Sequence, residues 1–142
     1  PRDTRVTDSG QVYWTIAKIE IPKIDVKYAI LNESTDELLK ISPCYFWGSN
    51  PNEVGNFCVV GHNYRNNKFF SKVPNLVDGD EIYITDLTGR KLTYEVYDKY
   101  VVNPNNLEST SQLTNGLKEV TLITCTNDSS QRVIVKAREK TN

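Results

Sequence analysis

The sequence has no methionine, a single histidine and three cysteines, and each scarcity narrows what the chain can do. With Pro1 first and no Met anywhere, the chain is expected to be the trimmed folded part of a longer protein, with any signal or membrane anchor outside it. No apolar run approaches the roughly 20 residues that a membrane-crossing helix needs. No basic-then-apolar segment opens the chain, so this part of it is expected to be soluble. Neither sign of charge dominates, since 17 Lys and Arg face 18 Asp and Glu. No Lys/Arg run forms a stripe, which argues against nucleic acid or anionic lipid as a partner. Cys44, Cys58 and Cys125 cannot all pair within one molecule, so at least one is expected to be a free thiol.

What is present fits one globular unit. A chain of 142 residues with 38% hydrophobic and 25% charged residues has room for one core and little room for a second. Residues 1–11 are polar and patternless and read as a flexible tail or linker remnant, leaving residues 12–142 as the domain. YWTIAKIEIP alternates apolar and polar residues as a half-buried strand does, and VKYAIL resumes extended character after Asp25. Ser34 and Thr35 ahead of DELLKI predict one short helix, closed by Pro43. WGSNPNEVGN is loop, and FCVVGH is a strand buried on both faces with His62 at its end. DGDEIYITD and TGRKLTYEVYDKYVV predict a hairpin, after which residues 105–116 form a long connection with room for a short helix. EVTLITC and RVIVKAR are the last two strands, joined by the polar loop TNDSSQ, so Cys125 and Arg132 are expected to be neighbours across a hairpin. About eight strands with one or two short helices predict a mainly β chain closed into a barrel.

Three residues stand where chemistry is possible. Cys125 ends an apolar strand beside a polar loop, which exposes its sulfur. Cys58 inside FCVV and Cys44 beside Pro43 read as small buried hydrophobes. His62 taken alone would be an ordinary hydrogen-bonded histidine, but beside a thiol it completes the minimum set for acyl transfer through a thioester. Arg132, otherwise a surface cation in an ion pair, can aim a fixed charge and several donors at a tetrahedral oxyanion. Asp78, Asp80 and Glu81 sit beside Gly79 and read as a solvated turn rather than a calcium site; neither a metal nor a cofactor is expected. Tyr45, Phe46 and Trp47 read as core or loop anchors.

TLITC on a strand, an arginine opening the next strand and a Gly-His ending an earlier one together resemble the sortase signature. VGNFCVVGHN and FFSKVPNLVDGDEIYI extend the likeness, which runs from about Ile16 to Arg138. The resemblance implies an eight-stranded sortase-type β-barrel and makes residues 12–142 a catalytic domain of the Gram-positive cell surface, membrane-anchored in its full-length form. It implies cleavage of a sorting motif (LPxTG-like) in a secreted protein, usually between Thr and Gly, through a thioester on Cys125. The acyl group would pass to an amine of a peptidoglycan precursor or of a pilin-like protein. His62 would move the protons and Arg132 would hold the oxyanion, with the Thr126 backbone N–H as a second donor. Val60, Ile123 and Thr124 would wall the substrate groove, joined by residues of the 104–116 segment. Strand parity independently places Ile123 with Cys125 and Val60 with His62. The short loop between Cys125 and Arg132, and the lack of an Asp-Pro-aromatic lid motif, point to a class A-like or class D-like member. Two other readings remain at this stage: a cysteine peptidase that only hydrolyses, and a non-catalytic β-barrel that binds peptides.

Overall fold

The computed structural model describes residues 3–64 and 68–141. Its strands are β1 (Thr4–Val6), β2 (Val12–Ile21), β3 (Val26–Leu31), β4 (Cys44–Gly48), β5 (Gly55–Val60), β6 (Glu81–Asp86), β7 (Lys91–Val102), β8 (Lys118–Cys125) and β9 (Arg132–Glu139). One four-residue helix, α1 (Asp36–Leu39), and short 3-10 turns at Pro22–Ile24, Val73–Asn75 and Glu108–Thr110 complete the described elements.

The strands run in the order β1-β2-β3-β4-β5-β8-β9-β7-β6, and β6 pairs back onto β2. β2 through β6 therefore form a closed eight-stranded barrel, and closure removes the unpaired edges that an open sheet would expose. The closing seam sets Ala17 opposite Asp86 and Ile19 opposite Ile84. β3–β4 and β5–β8 are parallel, and the other pairs are antiparallel.

Alternation along the strands fills the interior. Ala17, Ile19 and Ile21 on β2 are buried while Lys18 points out, and Ile82 and Ile84 repeat the pattern on β6. Val120 and Leu122 of β8 meet Val133 and Val135 of β9 in the same core. Each such aliphatic side chain removed from water contributes about 1.5–3 kcal/mol. β5 is buried along both faces, because one face meets this core and the other lies under neighbouring segments.

Two short elements depart from the sequence reading. Residues 4–6, assigned to a flexible tail, form β1, which pairs with Val12–Trp14 outside the closed ring. Cys44–Gly48, read as aromatic anchors running into a loop, is a strand that pairs with β5. Its side chains do not alternate between apolar and polar, so periodicity gave no sign of it. The short helix lies where its capping residues place it: Thr35 Oγ1 accepts the Leu38 N–H at 3.2 Å. It ends by Lys40, ahead of Pro43.

Candidate active site

The last two strands bring Cys125 and Arg132 together. They are direct cross-strand partners at the end of the β8–β9 ladder, so both side chains leave the same face of the sheet. Residues 126–131 close the hairpin through a Thr126 N–H bond to the Gln131 carbonyl at 3.0 Å. Inside the loop, Asp128 accepts from Ser130 N (3.0 Å), Thr126 Oγ1 (2.7 Å) and Ser130 Oγ (2.7 Å). Those bonds, the Ser130 N–H foremost, hold the Asp128 carboxyl down at about 2. The turn beside the thiol is thus fixed by its own side chains.

β5 supplies the imidazole. It runs parallel to β8 with Val60 level with Ile123, and the Gly61 N–H continues the ladder to the Ile123 carbonyl at 3.0 Å. His62 follows two residues past Val60, as Cys125 follows two past Ile123, beyond the end of β5. There the chain leaves the sheet, and Asn63 Nδ2 donates to the Cys125 carbonyl and to Asn127 Oδ1, both at 3.0 Å. The His62 ring packs on Tyr64 with centroids 4.9 Å apart. Burial lowers the His62 pKa below 6.5; the negative charge of Asp36 opposes this and the positive charge of Lys40 adds to it. Both charges come from α1 and its C-cap.

Of the three thiols, one is accessible. Cys44 and Cys58 are fully buried, and burial pushes them up to about 12 and about 11 respectively, so they stay protonated and inert. Cys125 is half-buried at the rim.

Below the rim, the outward face of β5, β8 and β9 has a readable order. Cys125 pairs with Arg132, Ile123 pairs with Ile134 and lies level with Val60, and Thr121 pairs with Lys136 and lies level with Cys58. A groove of about 160 Å³ runs over the middle row, lined by Val60, Ile123 and Ile134, with Phe46 and Leu107 beside them and Arg132 at its end. Val60 and Ile123 are therefore where strand parity put them. Phe46 was read as a core or loop anchor, and Ile134 went unassigned in the sequence. Ile134 was legible, since it has the parity of Arg132 two residues earlier.

Two expected substrate contacts lie elsewhere. Thr124 has the opposite parity to Cys125, is 1% exposed, and turns away from the groove into the barrel. The Thr126 N–H is already committed to Gln131, so it is not a free oxyanion donor. Arg132 uses Nη1 to hold the Ser129 and Gln131 carbonyls at 3.3 and 3.1 Å. That steadies the guanidinium and leaves its other N–H groups for a ligand. The turn at Asp80 is also self-contained, with Lys23 Nζ at 2.8 Å and the Val77 N–H as its partners.

The barrel thus carries at one rim a half-buried thiol, an imidazole and a guanidinium, the side-chain types that acyl transfer through cysteine draws on. A sequence model described as the sortase domain matches residues 19–140. The chain belongs to the sortase family, and with it to the transpeptidases that act on sorting motifs. Among solved structures, the Clostridium perfringens Sortase D5 transpeptidase is 34% identical, with 96% of this chain and 83% of that one covered and a TM-score of 0.81. Sortase C-1 from Actinomyces oris is 29% identical over 89% of this chain and 74% of that one, with a TM-score of 0.81. A lid mutant of sortase A from Corynebacterium diphtheriae is 28% identical over 92% and 72%, with a TM-score of 0.82. The search of curated proteins returned no match.

Proposed function

We propose that this chain cleaves an LPxTG-like sorting motif of a secreted protein and joins the new acyl end to an amine, with Cys125 as nucleophile. The reading is carried by the register: Cys125 and Arg132 are cross-strand partners, and β5, which leads two residues on to His62, runs beside β8 with Val60 level with Ile123. The Cys125 thiolate adds to the carbonyl between Thr and Gly, and the charge on the carbonyl oxygen falls to the Arg132 guanidinium. The tetrahedral adduct collapses as protonated His62 gives its proton to the departing glycine amine, leaving a thioester. An incoming amine loses a proton to His62 and attacks, which restores the thiolate and releases the joined product. With the Thr126 N–H engaged in the hairpin, Arg132 carries more of the oxyanion than a two-donor arrangement would require.

The acceptor amine belongs to a peptidoglycan precursor or a pilin-like protein, and the working location is the outer face of the cell membrane, reached through a membrane anchor. A Clostridium perfringens sortase C, 25% identical, has been solved with the C-terminal cell wall sorting motif, which supports a sorting-motif peptide as the ligand here. The identity to Sortase D5 supports the class D-like reading over the class A-like one.

The test is incubation of the protein with a panel of sorting-motif peptides and oligoglycine, read by mass spectrometry. A joined peptide and a thioester adduct on Cys125 are expected, and neither with Cys125→Ala. His62→Ala is expected to lower turnover by about 10²–10⁴. Arg132→Lys, which keeps charge but loses the planar fork, is expected to lower it by about 10²–10³. Cleavage without joining, with oligoglycine and with a panel of other amines, would establish the hydrolase instead, and no adduct with any peptide would overturn the scheme.

A further inference from the structure

We infer that Lys136, with Asn56 and Thr121, forms a clamp that positions one wall of the substrate groove, which makes these three residues positioning residues for peptide binding. The inference rests on the groove assignment above. Thr121 and Lys136 are cross-strand partners four residues down β8 and β9 from Cys125 and Arg132, about 13 Å along the strands and on the same outward face. Asn56 shares that face on β5, two residues before Cys58.

Two of them, Asn56 and Lys136, grip one backbone carbonyl of the long connection between β7 and β8, and Thr121 bridges the two. The Ser109 carbonyl accepts from Asn56 Nδ2 at 2.7 Å and from Lys136 Nζ at 2.9 Å. Lys136 Nζ also donates to Thr121 Oγ1 at 2.9 Å, and Thr121 passes its own hydrogen to Asn56 Oδ1 at 2.7 Å. Gln112 closes the same segment onto β5: its Nε2 donates to the Asn56 carbonyl and its Oε1 accepts the Asn56 N–H, both at 2.8 Å. Asn56 and Thr121 are fully buried beneath this segment.

The chemistry is uneconomical for packing alone. Lys136 has no carboxylate within ion-pair distance among the described residues, and withdrawing an ammonium from water without one is unfavourable. Its charge is spent on a carbonyl and a hydroxyl, where it makes charge-assisted bonds stronger than neutral ones. The carbonyl it grips belongs to Ser109, which lines the groove together with Pro104 and Leu107, opposite Val60 and Ile123. Residues 103–107 themselves make few bonds to the barrel. The Asn106 N–H turns back to Asn103, and Leu107 is more than half exposed. The clamp is therefore what sets the distance between that wall and the groove floor.

The test uses the intact protein and two readouts. In Lys136→Met, amide hydrogen exchange in residues 104–112 is expected to quicken by at least about tenfold while exchange in β8 and β9 is unchanged. KM for a sorting peptide is expected to rise at least about fivefold, with kcat within about twofold of wild type. Thr121→Val, close in shape, removes the bridging hydroxyl and should move both readouts in the same direction, and it serves if Lys136→Met does not fold. Unchanged exchange in 104–112, or a kcat loss that tracks the folded fraction at constant KM, would overturn the clamp. Exchange needs no turnover, so a wild-type protein that processes no peptide would fail the proposed function and still leave the clamp to be decided.

Discussion

His62 is partly buried just past the end of β5, within reach of the charges of α1 and its C-cap, and that setting decides its charge. Burial disfavours the imidazolium, and the opposing charges of Asp36 and Lys40 modulate it. As it is the sole histidine, its ring signals in NMR are unambiguous. The expected titration midpoint lies below 6.5 in the folded protein. Asp36→Asn should lower it further, and Lys40→Met should raise it; a midpoint above 6.5 in wild type would contradict the burial argument. The stability linkage has a definite sign. The unfolded chain binds this proton more readily, so the site's contribution is intact above 6.5 and is lost as pH falls from there through the folded value. The positions of the three candidate residues, His62, Cys125 and Arg132, were legible in the sequence because each stands where an apolar strand meets a polar loop. Thr124 was misplaced although parity along TLITC already opposed it to Cys125. The engagement of the Thr126 N–H was not legible, because it depends on how residues 126–131 turn.

At the scale of elements, strands that alternate were readable and strands that do not were missed. β2 and β6 show their periodicity openly, whereas Cys44–Gly48 has aromatic residues in series and no polar face. The parallel pairing of β5 with β8, which sets Val60 level with Ile123 just ahead of His62 and Cys125, joins residues more than sixty positions apart and leaves no local trace. Asn63 went unassigned for the same reason, since its partner Cys125 lies across that pairing. The end of β5 also depends on a contact with no chemical role. A Cβ at Gly61 would lie 2.7 Å from Cδ2 of Phe70, whose ring is fully buried. The Phe70 N–H in turn holds the His62 carbonyl at 3.0 Å. Gly61→Ala must displace that ring or the strand end, and His62 moves with either. A small shift of a catalytic group can cost on the order of 10²-fold. The variant is expected to lose at least about tenfold in kcat/KM while remaining folded by circular dichroism. Wild-type turnover in Gly61→Ala would show that the strand end tolerates the shift.

Across the whole molecule, the barrel is held by a seam between its first long strand and β6, while β1 lies outside the ring. Composition and strand count were enough to predict a barrel. Which strands close it was not readable, since β2 has three partners along its length: β1 at Val12–Trp14, β3 at Thr15–Ile21 and β6 at Ala17–Glu20. The pairings with β1 and β6 should differ in worth. Ile19 faces Ile84 across the seam and both are completely buried, so Ile19→Ala leaves a cavity shared by strands from both ends of the sheet. Its expected cost is about 2–5 kcal/mol. Thr4–Val6 are exposed along their length, and removing residues 1–6 is expected to cost no more than about 1 kcal/mol. Urea unfolding of the two variants compares them directly, with one cooperative transition expected in each. A truncation as costly as Ile19→Ala would mean that the outer hairpin, rather than the closed ring, limits stability.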